Sequence, residues 1–419
     1  MKNKEIFNKA YSRLSELYAG EEHVPSVKTI SRFYEEKMIL EDNSQYLRCL
    51  EFCGRLREAA ERKGEHIFVR GTTGSSFIAY LLGATNVNPL PPHEYCPKCR
   101  SIRFIGAGSP FDKATKKCLC GSDITFDGHD IPFASNIKYG IKGHIQISVS
   151  YEFLDEAKQM ISEEDWGKTV VKLTNGGLAP TWFCFLDNNE DEKSEYCLTE
   201  NSERFERFVR ITLVADKGLG RFRELERATG YKVRDIDHSK TGLVFFEFME
   251  RNIKGIKPFD NEFMLEIWDK VSPQSYDDLL KLIGFAHSTN VWRDNAERLF
   301  ADHRMTLRDI PAYRDDIYAM IVEKLRKNGI YDDGLAYEVM QKACRGDYAR
   351  VGGVDDDTLF SLLGIGFDID FILFLEGIRY MFPKAHGVAY MMEAIAMMYY
   401  KTYFNKEYNE IMLMANEDE

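Results

Sequence analysis

The spacing of apolar residues changes character once along this chain, near Gly255, and that change sets its fold class. Before it, a period-2 run such as Ile145, Ile147 and Val149 alternates with runs at helical spacing, such as Tyr46, Leu47, Leu50, Cys53 and Leu56. Period 2 lines one face of a strand, whereas steps of three and four line one stripe of a helix. After Gly255 the helical spacing is almost unbroken, and it predicts helices over 261–270, 276–283, 291–302, 313–327, 335–345, 355–363, 368–380 and 386–403. A mixed first half followed by an all-helical second half predicts an α+β protein of at least two domains.

Within the first half, residues 1–65 read as helices, with Ile6, Tyr11, Leu14, Leu17 and Tyr18 on one stripe. Ser44 is placed to cap a helix over 44–63 that Gly64 closes. Strands are predicted at 66–69, 145–149, 170–173, 181–186 and 208–214, with helices over 153–161 and 219–229, the second stopped by Gly230.

The chain has 419 residues, enough for several cores. No apolar run reaches the ~18 residues that span a bilayer. The start, Met1-Lys2-Asn3-Lys4-Glu5, has no apolar signal core. A cytoplasmic protein without membrane contact is expected. The net charge of −12 opposes adhesion to nucleic acid through bulk charge, and leaves a local basic stripe as the only route to it. Much of the acidic excess falls in 187–206, which reads as solvated surface.

Nine cysteines, an odd number with no secretion signal, argue against a disulfide framework. Four of them cluster. Cys96-Pro97-Lys98-Cys99 is a C-x₂-C knuckle, and Cys118-Leu119-Cys120-Gly121 follows. Two thiolate pairs spaced in this way suit a closed, structural zinc site, which supplies folding energy that a small insert lacks. The second pair is one residue short of C-x₂-C. That leaves two further readings: His93 or His129 completes the ligand set, or the segment is a metal-free loop of reduced thiols.

Arg70-Gly71-Thr72-Thr73-Gly74-Ser75-Ser76 lies between a predicted strand and a predicted helix. Glycines let backbone N–H groups approach an anion, and a helix start adds partial positive charge. The plain alternative is an ordinary tight turn.

Three further words join this loop: Asn88-Pro89-Leu90-Pro91-Pro92-His93, the run from Ile283-Gly284-Phe285 to Trp292, and Tyr380-Met381-Phe382-Pro383-Lys384-Ala385-His386. Together they resemble the palm and fingers of the alpha subunit of PolC-type bacterial DNA polymerase III, across 7–409. The resemblance implies a reduced nucleotidyltransferase-type palm with a zinc-knuckle insertion, followed by an all-helical fingers domain. Its divisions are 1–95 (palm with the glycine loop), 96–130 (knuckle), 131–254 (the shortened remainder of the palm) and 255–419 (fingers). It makes Arg70, Gly71, Gly74, Ser75, Ser76, Lys384 and His386 candidate nucleotide- or phosphate-binding residues. For Lys384 the alternative is a solvated side chain, and for His386 a packed helix cap. Cys96, Cys99, Cys118 and Cys120 correspond to the zinc module of that family, which carries C-x₂-C in both halves.

The resemblance also implies a loss. Two magnesium ions about 3.5–4 Å apart drive polymerase chemistry, and they require carboxylates. Where the family carries its three metal-binding aspartates, this chain has His144, Gln146 and Thr212. Magnesium is therefore not expected at the palm. Asp216, Asp235 and Asp237 are the nearest substitutes, and each reads more simply as a solvated loop acid. Thr174-Asn175-Gly176-Gly177 is read as the remnant of a longer glycine-rich stretch. On this reading the family's exonuclease and clamp-binding parts are expected to have no counterpart, and no clamp-binding peptide is recognised in 412–419.

The expectation is thus a catalytically inactive PolC-like protein that binds nucleotide, primer–template DNA or a replication partner. The alternatives are an active template-directed polymerase with relocated metal ligands, and a protein-interaction scaffold of a phage or mobile element.

Overall fold

The computed structural model describes residues 2–19, 25–106, 109–113, 116–133, 143–167, 170–174, 180–185, 208–237 and 242–417. The acidic stretch 187–206 and the glycine-rich residues 175–177 lie outside them. The chain forms two compact units, one of Met1–Thr241 with Tyr399–Glu419 and one of Gly242–Met398.

The first unit opens with α1 (Asn3–Tyr18), α2 (Val27–Glu41) and α3 (Ser44–Arg62). Ser44 is the first residue of α3 and Asn43 holds the cap position, one residue earlier than the pattern predicts. Gly64 follows with a φ of 72°, closing the helix as expected. Then come β1 (Ile67–Arg70), α4 (Phe77–Leu81), β2 (His93–Tyr95), β3 (Ile102–Phe104), β4 (Thr125–Asp127), β5 (His144–Val149), α5 (Tyr151–Glu163), β6 (Val170–Thr174), β7 (Thr181–Phe185), β8 (Val209–Ala215) and α6 (Lys217–Thr229).

Five strands form one sheet in the order β1-β5-β8-β7-β6, and β3-β2-β4 form a second, small sheet. Only β5 and β8 pair in parallel. The period-2 pattern decides which side of the large sheet is covered. Ile145, Ile147 and Val149 of β5 and Ile211 and Leu213 of β8 bury themselves with Leu47 and Leu50 of α3 and Phe153 and Ala157 of α5. Each of these valine, leucine, isoleucine and phenylalanine side chains stabilises the unit by about 1.5–3 kcal/mol. The intervening residues, His144, Gln146, Arg210 and Thr212, necessarily point to the other face.

The second unit is helical. It holds α7 (Gly242–Met249), α8 (Glu262–Val271), α9 (Tyr276–His287), α10 (Glu297–Ala301), α11 (Arg314–Lys327), α12 (Gly334–Cys344), α13 (Asp347–Val351), α14 (Asp356–Gly364), α15 (Ile369–Gly377) and most of α16 (Lys384–Tyr403). The single helix predicted over 291–302 is broken. Arg293 has a ψ of 136° and Asp294 a φ of 59°, so regular helix resumes only at Glu297. Asn295 explains the break: its side-chain amide donates to the Asn290 and Phe374 carbonyls at 3.1 and 2.9 Å, a use that continuous helix does not allow.

A last helix, α17 (Asn405–Glu417), belongs to the first unit and packs against α6. The end of α16 goes with it. Tyr399 stacks on Tyr231 at 5.2 Å, and the Tyr400 hydroxyl donates to the Tyr231 carbonyl at 2.8 Å. Among the described residues, no helix is long and apolar enough to cross a membrane.

Candidate functional site

The face of the large sheet turned away from that core carries His144, Gln146 and Thr212, the three residues that the sequence reading set at aspartate positions. Register sets their neighbours. His144 lies opposite Arg210 and Gln146 opposite Thr212, while Arg70 on β1 lies opposite Gln146. Trp182 and Cys184 on β7 continue these rows beside Thr212 and Arg210. One surface therefore gathers two arginines, a histidine, an amide and a hydroxyl.

Hydrogen bonds define the state of the histidine. An Arg210 Nη2–H donates to His144 Nδ1 at 3.3 Å, because arginine has no acceptor to offer. Neutral His144 then carries its proton on Nε2 and donates it to Thr212 Oγ1 at 2.8 Å. Burial, and then the Arg210 charge, push His144 down to about 3 from 6.5. A second positive charge beside the guanidinium is disfavoured, so the imidazole stays neutral at physiological pH.

This gives a pH dependence with a definite sign. A histidine whose folded pKa is depressed stays deprotonated in the fold while the unfolded chain binds protons. Stability contributed by His144 is therefore lost as pH falls from about 6.5 towards about 3. Glu226 acts later. Burial pushes its pKa up, but His66, Lys232 and the Val233 N–H outweigh that and hold it at about 2 against 4.5, so its contribution is lost only below 4.5. Replacing His144 with Gln is expected to flatten the melting temperature between pH 6.5 and 4.5 and to leave the steeper fall below 4.5 in place. Thermal melts of the two proteins across that range check it, and parallel curves would refute the assignment.

The glycine loop adjoins this surface. Gly71, at a φ of 74°, turns the chain so that its Cα passes β5, and an added Cβ would lie 3.9 Å from the Gln146 Cβ. Arg70 pairs with Asp216 at 3.0 Å, and the other Asp216 oxygen accepts the Gly218 N–H at 2.9 Å to cap α6. The acid nearest to Thr212 in sequence is thus committed to a cap and an arginine. Beyond Gly74 the start of α4 already holds an anion. Glu36, fully buried on α2, accepts from Ser76 Oγ at 2.8 Å, Phe77 N at 2.8 Å and Ile78 N at 3.0 Å. Arg32 neutralises it at 2.6 Å and also donates to the Ser75 and Ile131 carbonyls. Ser75 Oγ donates to the Thr72 carbonyl. The hydroxyls of Ser75 and Ser76 are thus engaged within the protein, and the phosphate-like position at the helix start is filled by a carboxylate.

The cysteines form the second candidate site. Cys96, Cys99, Cys118 and Cys120 place their sulfurs within 4.8 Å of one another. Two separations are 3.6 Å, from Cys96 to Cys120, and 3.9 Å, from Cys99 to Cys118. A tetrahedral ion with bonds near 2.3 Å needs sulfurs about 3.8 Å apart, so the donor set fits zinc. Local turns build it. The Arg100 N–H closes on the Cys96 carbonyl with Arg100 at a φ of 56°. The Gly121 N–H closes on the Cys118 carbonyl with Gly121 at a φ of 84°. The second turn brings Cys118 and Cys120 to one side although only Leu119 separates them, which is how the shortened spacing still completes the set. His93 and His129 stay outside it. Their Nδ1 atoms meet the Pro91 and Asn88 carbonyls at 2.8 and 3.2 Å. A backbone hydrogen bond with Ser122, then the neighbouring thiols, draw Cys120 down to about 7. Cys99, hydrogen-bonded to Cys120, is pushed up to about 12. Among the described residues this is the only group of three or more histidine, cysteine or acidic side chains placed to share a metal ion.

The proline-rich word anchors this module. His129 N, Asp130 N and Ile131 N donate to the carbonyls of Asn88, Leu90 and Pro89. The chain thereby enters and leaves the small sheet at one place.

In the second unit two distant words meet. Thr289 N donates to the Tyr380 carbonyl at 2.9 Å and Arg379 N to the Thr289 carbonyl at 3.1 Å. The His386 ring packs against Phe382 at 4.3 Å and Tyr390 at 5.1 Å and is 9% exposed. His287 stacks on Tyr390 at 5.2 Å. The Lys384 N–H is held by Asp315 at 2.8 Å.

No protein-family model matches the chain. A protein named DNA polymerase III PolC-type from Caldanaerobacter subterraneus is 26% identical over 84% of this chain and 30% of its own length. Proteins of the same name from Staphylococcus saprophyticus and Clostridium perfringens are each 24% identical, over 96% and 99% of this chain and 32% and 33% of their own lengths. The chain is thus similar, at 24–26% identity, to proteins named DNA polymerase III PolC-type. It spans about a third of the length of the PolC proteins it matches.

Sequence reasoning missed two residues of this PolC-like chain. Arg210 carried a usable signal, a charge on the non-core phase of an apolar strand beside Thr212. Glu36 carried none beyond an ordinary i,i+4 pair with Arg32, because only the fold brings α2 to the start of α4.

Proposed function

We propose that this PolC-like chain binds nucleotide or primer–template DNA and does not carry out nucleotidyl transfer. The observation that carries the reading is the His144–Thr212 hydrogen bond with the Arg210 guanidinium on the other ring nitrogen. If His144, Gln146 and Thr212 stand at the family's metal-binding positions, a neutral pair and a cation occupy the floor that must hold about four positive charges. Losing a single electrostatic stabiliser costs about 10²–10³ in rate, so losing three anchors takes turnover below detection. Asp216 does not replace them while it caps α6 and pairs with Arg70.

In this reading the mixed unit is a reduced palm, the four cysteines hold a structural zinc ion, and the helical unit corresponds to fingers that carry Lys384 and His386. A replication protein is a further partner consistent with the family, and the PolC relatives' polymerase name supplies the ligand class.

Primer extension with magnesium or manganese tests the reading. The expected result is no template-dependent incorporation, together with measurable binding of a deoxynucleoside triphosphate or a primer–template duplex. Incorporation that Asp216→Asn abolishes would replace this reading with a polymerase whose metal ligands have moved.

A further inference from the structure

We infer that the end of the small-sheet module carrying the four cysteines is a binding surface for the phosphate backbone of DNA, built on Lys98, Arg100 and Lys117. The inference rests on the reading that this chain binds primer–template DNA, and it assigns that binding a surface outside the large sheet. A chain of net charge −12 meets DNA favourably only where cations gather locally.

They gather here. Residues 96–125 hold six lysines and arginines against two aspartates. With zinc bound, four thiolates and the ion add a formal charge of about −2, and the stretch stays positive. Ion pairs sort these cations. Arg103 and Lys116 are committed to Glu94. Lys98 and Arg100 are exposed, and neither side chain makes a hydrogen bond or ion pair among the described residues. Lys117 pairs with Asp123 at 2.8 Å, but the two side chains are 69% and 53% exposed. A pair of that kind is worth about 0–1 kcal/mol, so a phosphate can replace the aspartate. The metal site brings the three cations together. Lys98 and Arg100 flank Cys99, Lys117 precedes Cys118, and the Cys99 and Cys118 sulfurs lie 3.9 Å apart. The turns that close on the Cys96 and Cys118 carbonyls fix the backbone that carries them. Leu119, wholly exposed between two of the cysteines, adds an apolar point that a deoxyribose can cover. Exposed cations spread over two turns suit an extended polyanion better than a single small anion. Duplex DNA carries one charge per about 1.7 Å of its axis, so each cation finds a phosphate.

Fluorescence anisotropy of a labelled primer–template duplex, titrated with the zinc-loaded full chain at several salt concentrations, tests this. Lys98→Gln with Arg100→Gln should weaken binding about 10- to 50-fold near physiological salt and reduce the steepness of log K against log salt by about 2. Lys98→Gln alone should reduce it by about 1. Leu119→Ser should weaken binding and leave the salt slope unchanged. Lys327→Gln with Lys406→Gln removes the same charge from exposed positions on α11 and α17, and should change affinity by less than about twofold. Zinc content and circular dichroism confirm that each variant keeps the module. Unchanged affinity and slope in the Lys98 and Arg100 variant would overturn the inference and leave DNA binding standing. An equal loss in the Lys327 and Lys406 variant would overturn it too, by assigning the effect to net charge. No duplex binding by the parent chain would overturn the inference together with the DNA half of the proposed function, and a titration with dATP decides the other half.

Discussion

Stripping the metal from the four-cysteine site is expected to unfold the small sheet of β2, β3 and β4 and to leave the large sheet folded. The module has little core of its own. Cys99, Cys118 and Cys120 are only partly buried, and Leu119 is fully exposed. Its strands are three residues each. Structural zinc in peptides of this kind contributes an apparent binding energy of about 10–16 kcal/mol, which is folding energy where no preformed site exists without the ion. Purified protein should contain one zinc ion per chain, and a strong chelator should release it along with four titratable thiols. Hydrogen exchange should then accelerate at 93–127 and remain slow in β5 and β8. Cys118→Ser should reproduce the effect and Cys49→Ser should not, because Cys49 is buried in α3, away from the cluster. A metal-free protein with unchanged exchange in the small sheet would remove zinc from the account.

Replacing Glu36 with Ala is expected to cost about 3–5 kcal/mol of stability, the range for breaking a buried ion pair from one side. Three donors and Arg32 converge on this carboxylate. Its loss strands Ser76 Oγ, two backbone N–H groups and a guanidinium whose side chain is only 16% exposed. Glu36→Gln keeps the shape and an acceptor oxygen, so it should lose less than Ala while leaving the Arg32 charge unopposed. Urea unfolding of the three proteins measures the difference. An alanine variant within about 1 kcal/mol of the parent would mean that water or another group takes the place of Glu36.

Much of the architecture is legible in local pattern because it is decided locally. Alternation in Ile145, Ile147 and Val149 forces a half-buried strand, and Gly64 and Gly230 terminate α3 and α6 through left-handed backbone. The cysteine cluster is legible for the same reason: one short turn builds each half. The break at Arg293 and Asp294 is not, because its cause is the bond from Asn295 to the Phe374 carbonyl, far along the chain. Nor is the location of α17, whose packing on α6 unites the last residues with the first unit.

The residues at 144, 146 and 212 could be named from sequence as sites without carboxylates, because side-chain chemistry is a property of the chain itself. Their protonation and partners could not. Strand order decides that Arg210 stands opposite His144, that Arg70 stands opposite Gln146, and that Asp216 turns to cap α6. Sequence determined which groups this protein possesses. Tertiary structure decided which of them meet, because a charge or a hydrogen bond acts over a few ångströms of space and takes no account of distance along the chain.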